Sequence, residues 1–257
     1  MNETENIALK KLQPLSGSAL KIIAMFTMLL DHIGAAFLYN LPGCSKESHV
    51  ALWQGCPMTL YGFYRILRNV GRIAFPIYCF LLVEGFFHTK SKKKYAFRLF
   101  LFALISEIPF DLAFQNSFFS FQLQNVFWTL LFGLLCMSAL EKQKQTSLSK
   151  ELAYNVQLSN NLFIILFFVG AATILKTDYY GIGIILIVIF YHYHDNRKRA
   201  CVIGYLCFLW EPFSLPAFLC LPFYNGKRGL SLKYLFYVFY PLHLLLLYFL
   251  RRHALAL

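Results

Sequence analysis

The stretch Lys21-Ile22-Ile23-Ala24-Met25-Phe26-Thr27-Met28-Leu29-Leu30-Asp31-His32 opens an apolar run that continues to Tyr39. Its length, near twenty residues, suits a helix crossing a bilayer. Eleven steps of ~100° bring Lys21 and His32 to within ~20° of one helix face, with a rise of about 16 Å between them. One helix thus offers a cation near one membrane surface and a titratable imidazole near mid-bilayer. An ionisable group at that depth costs on the order of 2.5–3.5 kcal/mol on insertion scales, which marks His32 as a place for chemistry.

Composition carries the same message along the whole chain. Of 257 residues, 58% are hydrophobic and 14% charged, with 28 Phe, so an ordinary soluble domain is excluded. The class expected is all-α, a polytopic integral membrane protein forming one domain over residues 1–257. Apolar runs place spans near Ala19–Tyr39, Val70–Phe87, Tyr95–Phe114, Phe121–Leu140, Leu162–Leu175, Tyr179–Tyr193 and Tyr234–Leu250. Two shorter runs, Ala200–Trp210 and Leu215–Phe223, flank Glu211-Pro212 and read as two tilted helices, a re-entrant hairpin or one broken helix. The total is about eight or nine transmembrane helices. Basic residues cluster at Lys10/Lys11, Lys90–Lys94 with Arg98, Lys142/Lys144/Lys150, Arg197–Arg199 and Lys227/Arg228/Lys233. Their alternation predicts a multi-pass protein of the cell membrane with a cytoplasmic N-terminus. The polar first fifteen residues do not read as a removable signal peptide.

The net charge of +12 raises a nucleic-acid reading, but the basic residues fall in short loops between spans. Topology and anionic lipid account for them, and no nucleic-acid partner is expected. The seven cysteines show no metal-binding or redox spacing, so no metal is expected. Cys44 and Cys56, both in the Leu41–Asn69 connection, are the one pair placed to form a disulfide.

The remaining charged residues sort by depth. Arg68 and Arg72 lie one turn apart at the start of the second span, and Glu107 and Asp111 one turn apart on the third, with Pro109 between them. Asn125, Lys176 and Asp178 fall near the same side of the membrane. Snorkelling and interhelical ion pairs explain each of these singly. Together they predict a polar cavity that His32 reaches. Asp31 points ~100° away from His32, so a nitrogen of a catalytic imidazole has to be held by another helix.

Several segments, taken in order, resemble the TraX family, whose founding member is the F-pilin N-acetyltransferase. They are Lys21 to Gly34, Gly71-Arg72-Ile73-Ala74-Phe75-Pro76, Glu84-Gly85-Phe86, Ser106-Glu107-Ile108-Pro109-Phe110-Asp111, Asn125-Val126-Phe127, Asp178-Tyr179 with Gly181 and Gly183, Tyr224-Asn225-Gly226-Lys227-Arg228-Gly229, and Tyr240-Pro241-Leu242-His243. The spacing of a basic residue before His32 also resembles the acyltransferase-3 membrane enzymes, which usually carry arginine where this chain has Lys21. The resemblance implies a transmembrane acyltransferase-like bundle, cytoplasmic acetyl-CoA as acyl donor, and an amine or hydroxyl acceptor such as a pilin-like N-terminus or a cell-envelope sugar. With acyl transfer as the reaction, residue chemistry and position make His32, Asp31, Arg72, Glu107 and Asp111 the expected catalytic residues. Lys21, Arg98 and Asn125 are expected in cofactor binding, and Asp178, Glu84 and His243 in substrate binding. The lipid bilayer is the surrounding partner, and a monomer or homodimer is expected. The competing reading is a transporter or channel in which the intramembrane Glu, Asp and His groups form a proton or substrate path.

Overall fold

The computed structural model describes residues 14–48, 50–52, 58–149, 154–230 and 233–256. Among these residues the secondary structure is helical, with three isolated backbone bridges and no strand. The helices are α1 (Gly17–His32), α2 (Leu60–Gly71), α3 (Ala74–His88), α4 (Lys92–Phe114), α5 (Val126–Ser149), α6 (Tyr154–Ile174), α7 (Tyr180–His192), α8 (Arg197–Cys207), α9 (Leu215–Cys220) and α10 (Lys233–Ala256). The all-α expectation holds. Among the described residues, three helical stretches are long and apolar enough to cross a membrane by length and composition, namely Gly17–Asn40, Leu60–His88 and Tyr154–Ile174. That is fewer than the eight or nine spans expected from apolar runs alone. The 13 residues of α7 and the 11 of α8 are short for an independent crossing. In α4 the apolar run carries Lys92, Lys93, Lys94, Arg98, Glu107 and Asp111 within 23 residues.

Local chemistry explains several features of these helices. Ser16 caps α1 by accepting a hydrogen bond from the Ala19 amide at 3.2 Å, and Thr59 caps α2 through the Gly62 amide at 3.0 Å. Pro76 sits in the first turn of α3, where a missing N–H costs nothing, whereas Pro109 and Pro241 lie inside α4 and α10 and each removes a donor from the helical ladder. Immediately after His32, α1 widens into a π-helical turn, Ile33–Phe37, followed by a 3-10 turn, Leu38–Asn40. The expected Leu41–Asn69 connection is partly helical, since residues 60–69 belong to α2, and α5 continues beyond its apolar run to Ser149.

The chain forms two compact units, each discontinuous in sequence. One comprises Met1–Tyr78, Pro109–Phe118 and Phe208–Leu257, the other Cys79–Ile108 and Phe119–Cys207. Within the first unit α1 packs on α2 and on α10. Gly71 makes the α1–α2 approach possible, because a Cβ there would occupy the space filled by the Asp31 side chain. In the second unit α5, α6 and α7 pack together around Cys136, Leu140, Ala172 and Ile184. The outer side of α6 leaves Phe163 72% and Phe167 60% exposed. Aromatic exposure on that scale suits a lipid-facing surface. In the 41–59 connection Cys44 is buried with a free thiol, and burial pushes that thiol up from its ordinary value; its expected partner Cys56 lies outside the described residues.

Candidate active site

The first unit holds a buried pair of imidazoles. His32, at the end of α1, and His243, on α10, approach to 2.6 Å between Nδ1 of His32 and Nε2 of His243, with the two rings nearly parallel. His243 is held in turn by its own helix, its Nδ1 lying 2.7 Å from the Phe239 carbonyl oxygen. A carbonyl only accepts, so Nδ1 of His243 carries the proton and Nε2, in the neutral ring, accepts. The proton between the rings therefore belongs to Nδ1 of His32, which assigns the lone pair of His32 to Nε2. The result is a directed chain: carbonyl, imidazole, imidazole, basic nitrogen.

Aromatic rings wall this pair. Phe114 and Tyr240 meet His32 edge-on at 5.2 and 5.9 Å between centroids, and Phe239 stacks on His243 at 4.7 Å. They keep water from competing for the two inter-ring nitrogens.

Two ion pairs stand beside this relay. Asp31 pairs with Arg68 of α2, and Arg72 at the end of α2 pairs with Glu211 at 3.2 Å between Nε and Oε2. Arg72 and Glu211 also act electrostatically on Asp31, and Arg68 on His32, so the four charges and the imidazole form one neighbourhood. Lys21 lies further down α1, half-buried, with its ammonium 5.1 Å from the centre of the Phe236 ring and Arg228 as a neighbouring charge. Asp111, fully buried in this unit, accepts a hydrogen bond from Gln115 at 2.9 Å.

Sequence reasoning missed Arg251. Its position at the end of an apolar run reads as an interfacial cation, but the side chain is only 3% exposed. It donates to the Ala36 carbonyl at 3.2 Å, to the Ala113 and Leu112 carbonyls at 2.8 and 3.0 Å, and to Oδ1 of Asn116 at 2.9 Å. These acceptors close the π turn that follows His32 and the end of α4, the two segments that bring His32 and Phe114 into place. Glu211 was visible only as part of a Glu-Pro break; its pairing with Arg72 depends on a return of the chain that no local pattern encodes.

The second unit gathers the other expected residues into two separate groups. Asn125 caps α5, its Oδ1 accepting from the Phe127 amide at 3.1 Å, while its Nδ2 donates to the Ala103 carbonyl at 2.8 Å and to Glu107 at 2.5 Å. Trp128 donates to the same Glu107 oxygen at 2.8 Å. Asp178 sits beside this group, its amide bonded to the Gln124 carbonyl at 3.0 Å and its carbonyl taken by the Thr129 hydroxyl. Asn125 thus spends its amide hydrogens and its oxygen within the fold. In the second group, buried Glu84 faces His194 at 3.2 Å and Arg197 at 3.9 Å. Arg98, over the Tyr95 ring, lines an open cavity of about 440 Å³ with Lys93, Lys94 and Phe97. No cluster of three or more metal-ligating side chains occurs among the described residues.

The sequence pattern of the TraX protein family matches residues 16–251. The chain belongs to the TraX family. A relative named as the probable fimbrial assembly protein FimC, serogroup H1, from Dichelobacter nodosus is 31% identical over 263 residues, covering 90% of this chain and 94% of its own. No solved structure matches the chain significantly. The TraX match spans His32, His243 and the charged residues around them, and ends at Arg251, the residue that clamps the π turn.

Proposed function

We propose that this TraX-family protein is a multi-pass membrane acetyltransferase, with a cytoplasmic N-terminus, that moves the acetyl group of acetyl-CoA to an amine or hydroxyl acceptor. The observation that carries the reading is the imidazole relay, which presents Nε2 of His32 as a fixed base. Acyl transfer from a thioester needs little else: a base for the attacking nucleophile and positive charge near the developing oxyanion.

The thioester supplies an already activated acetyl group. Nε2 of His32 takes the proton from the acceptor nitrogen or oxygen as its bond to the acetyl carbon forms. The same imidazolium returns that proton to the sulfur as the C–S bond breaks, leaving the acetylated acceptor and free CoA. His243 holds His32 in the tautomer and orientation this requires, and spreads the charge that His32 acquires. The guanidiniums of Arg68 and Arg72, each held by a carboxylate, provide the positive charge beside the reacting carbonyl. Lys21, on the same helix as His32, is the cation for a donor phosphate. The fimbrial-assembly name of the Dichelobacter nodosus relative supports a pilin-like N-terminal amine as acceptor over a sugar hydroxyl.

The test is transfer of labelled acetyl from acetyl-CoA by purified protein in neutral detergent, with a pilin-derived N-terminal peptide as acceptor. Turnover by the wild type that disappears in a folded His32→Gln variant supports the reading. Equal background rates in both, with proton-coupled flux in proteoliposomes, would replace it with the transporter reading.

A further inference from the structure

Residues 224–230 form a loop that is pinned along the start of α1. The Asn225 amide donates to the Leu15 carbonyl at 2.9 Å and the Leu15 amide to the Phe223 carbonyl at 3.2 Å. The Gly17 and Ser18 amides donate to the Lys227 and Arg228 carbonyls at 2.8 and 3.0 Å, and the Leu230 amide to the Ser18 hydroxyl at 3.0 Å. Within the loop, Oδ1 of Asn225 accepts from the Lys227 amide at 2.8 Å. Gly229 has φ +71°, and a Cβ there would collide with the Ser16 and Ser18 side chains. The backbone on either side of Arg228 is therefore held in one place.

This docking has two consequences. The amides at the start of α1 are spent on loop carbonyls and on Ser16, so the helix end has little left for an anion. At the same time Lys227 and Arg228 are fixed beside a helix whose next turn carries Lys21, and Arg228 is close enough to Lys21 to repel it. Among the described residues none of these three cations has a carboxylate partner, and the first turn of α1 contains no acidic residue. By contrast Arg68, Arg72, Lys92 and Arg197 each face a carboxylate. Lys21 is also half-buried against Phe236, where water screens the repulsion less. A fold that invests a pinned loop and a strained-for-other-residues glycine in bringing like charges together gains from an anion with more than one negative charge.

We infer that Lys21 and Arg228, with Lys227 at the rim, form a binding site for the phosphate groups of a ligand. Arginine suits phosphate through its planar pair of donors, and lysine adds a compact charge. Two sources share this chemistry: the phosphates of CoA, an assignment that rests on the acetyltransferase reading, and the headgroup of an anionic phospholipid.

The experiment is calorimetric titration of CoA into the intact protein in neutral detergent, repeated in nanodiscs of phosphatidylcholine with and without phosphatidylglycerol. The expected result is a Kd for CoA raised about tenfold in Arg228→Gln and in Lys21→Gln, largely restored in Arg228→Lys, and weakened by salt. Competition by phosphatidylglycerol that Arg228→Gln abolishes would assign the same site to the lipid headgroup and also support the inference. The control is the double variant Lys142→Gln/Lys144→Gln, two exposed cations on α5. Binding of both probes unchanged by Arg228→Gln, or CoA binding lost in the control instead, overturns it. Acetyl-transfer rates on the same samples separate the two claims. Arg228-dependent CoA binding without turnover refutes the acetyltransferase and keeps the site. Turnover with a KM for acetyl-CoA unaffected by Arg228→Gln refutes the site alone.

Discussion

His32 and Asn125 are both buried polar residues, yet the fold uses them in opposite ways. In the second unit Asn125 gives its amide hydrogens to Ala103 and Glu107 and its oxygen to Phe127, and the result is a fixed start for α5. In the first unit His32 gives one nitrogen to His243, which fixes the ring and leaves Nε2 with its lone pair. A buried group saturated by its own fold is architecture; one held on a single side is poised to react.

The contrast breaks most visibly at His32. Replacing it with glutamine, which preserves polarity and much of the volume but not the basic nitrogen, is expected to lower kcat by about 10²–10⁴ with the fold retained, read by acetyl transfer beside thermal unfolding. A smaller loss would show that another group is the base.

His243→Phe tests whether the relay matters beyond packing. The ring is kept while the acceptor for Nδ1 of His32 is lost, so kcat is expected to fall about tenfold to a hundredfold with KM for acetyl-CoA little changed, by analogy with groups that orient a reacting histidine. A change confined to KM would move His243 into the binding surface.

Arg251→Met sharpens the comparison from a distance. It removes the donor shared by the Ala36, Leu112 and Ala113 carbonyls; Ala36 keeps the Asn40 amide at 3.2 Å, so the cost, about 1–3 kcal/mol for each carbonyl left unsatisfied, falls on Leu112 and Ala113. Thermal unfolding is expected to fall by several degrees and turnover with it, whereas Arg252→Met, on an exposed neighbour, leaves both alone. The smallest effect belongs to Asn125→Ala. Loss of the cap costs about 0.5–2 kcal/mol and loss of the donors to Ala103 and buried Glu107 adds to it, yet kcat per folded molecule is expected to stay within about twofold of wild type.

Much of this was legible in the sequence because helix periodicity is local. The apolar run from Ala19 to Tyr39, the Lys21-to-His32 spacing and the Pro-marked starts and breaks all follow from short-range rules, and the family segments repeat them in order. What stayed hidden depends on how distant segments meet. Nothing near His32 names His243, 211 positions away, as the holder of its second nitrogen. Arg251 carries the same signature as any cation at the end of a span, and only its three carbonyl partners reveal it as a clamp. Apolar runs measure burial as well as membrane, so they do not by themselves count spans: α7, nearly all apolar, buries Ile184, Leu186, Ile187 and Phe190.

The most direct test of the relay is the tautomer of His32. Nitrogen-15 NMR of histidine-labelled protein, assigned with His32→Gln and His243→Phe, reads which ring nitrogen carries the proton. The account predicts a neutral His32 protonated at Nδ1 with an unprotonated Nε2, coupled across a hydrogen bond to Nε2 of His243. A proton on Nε2 of His32, or no coupling between the two rings, would contradict it.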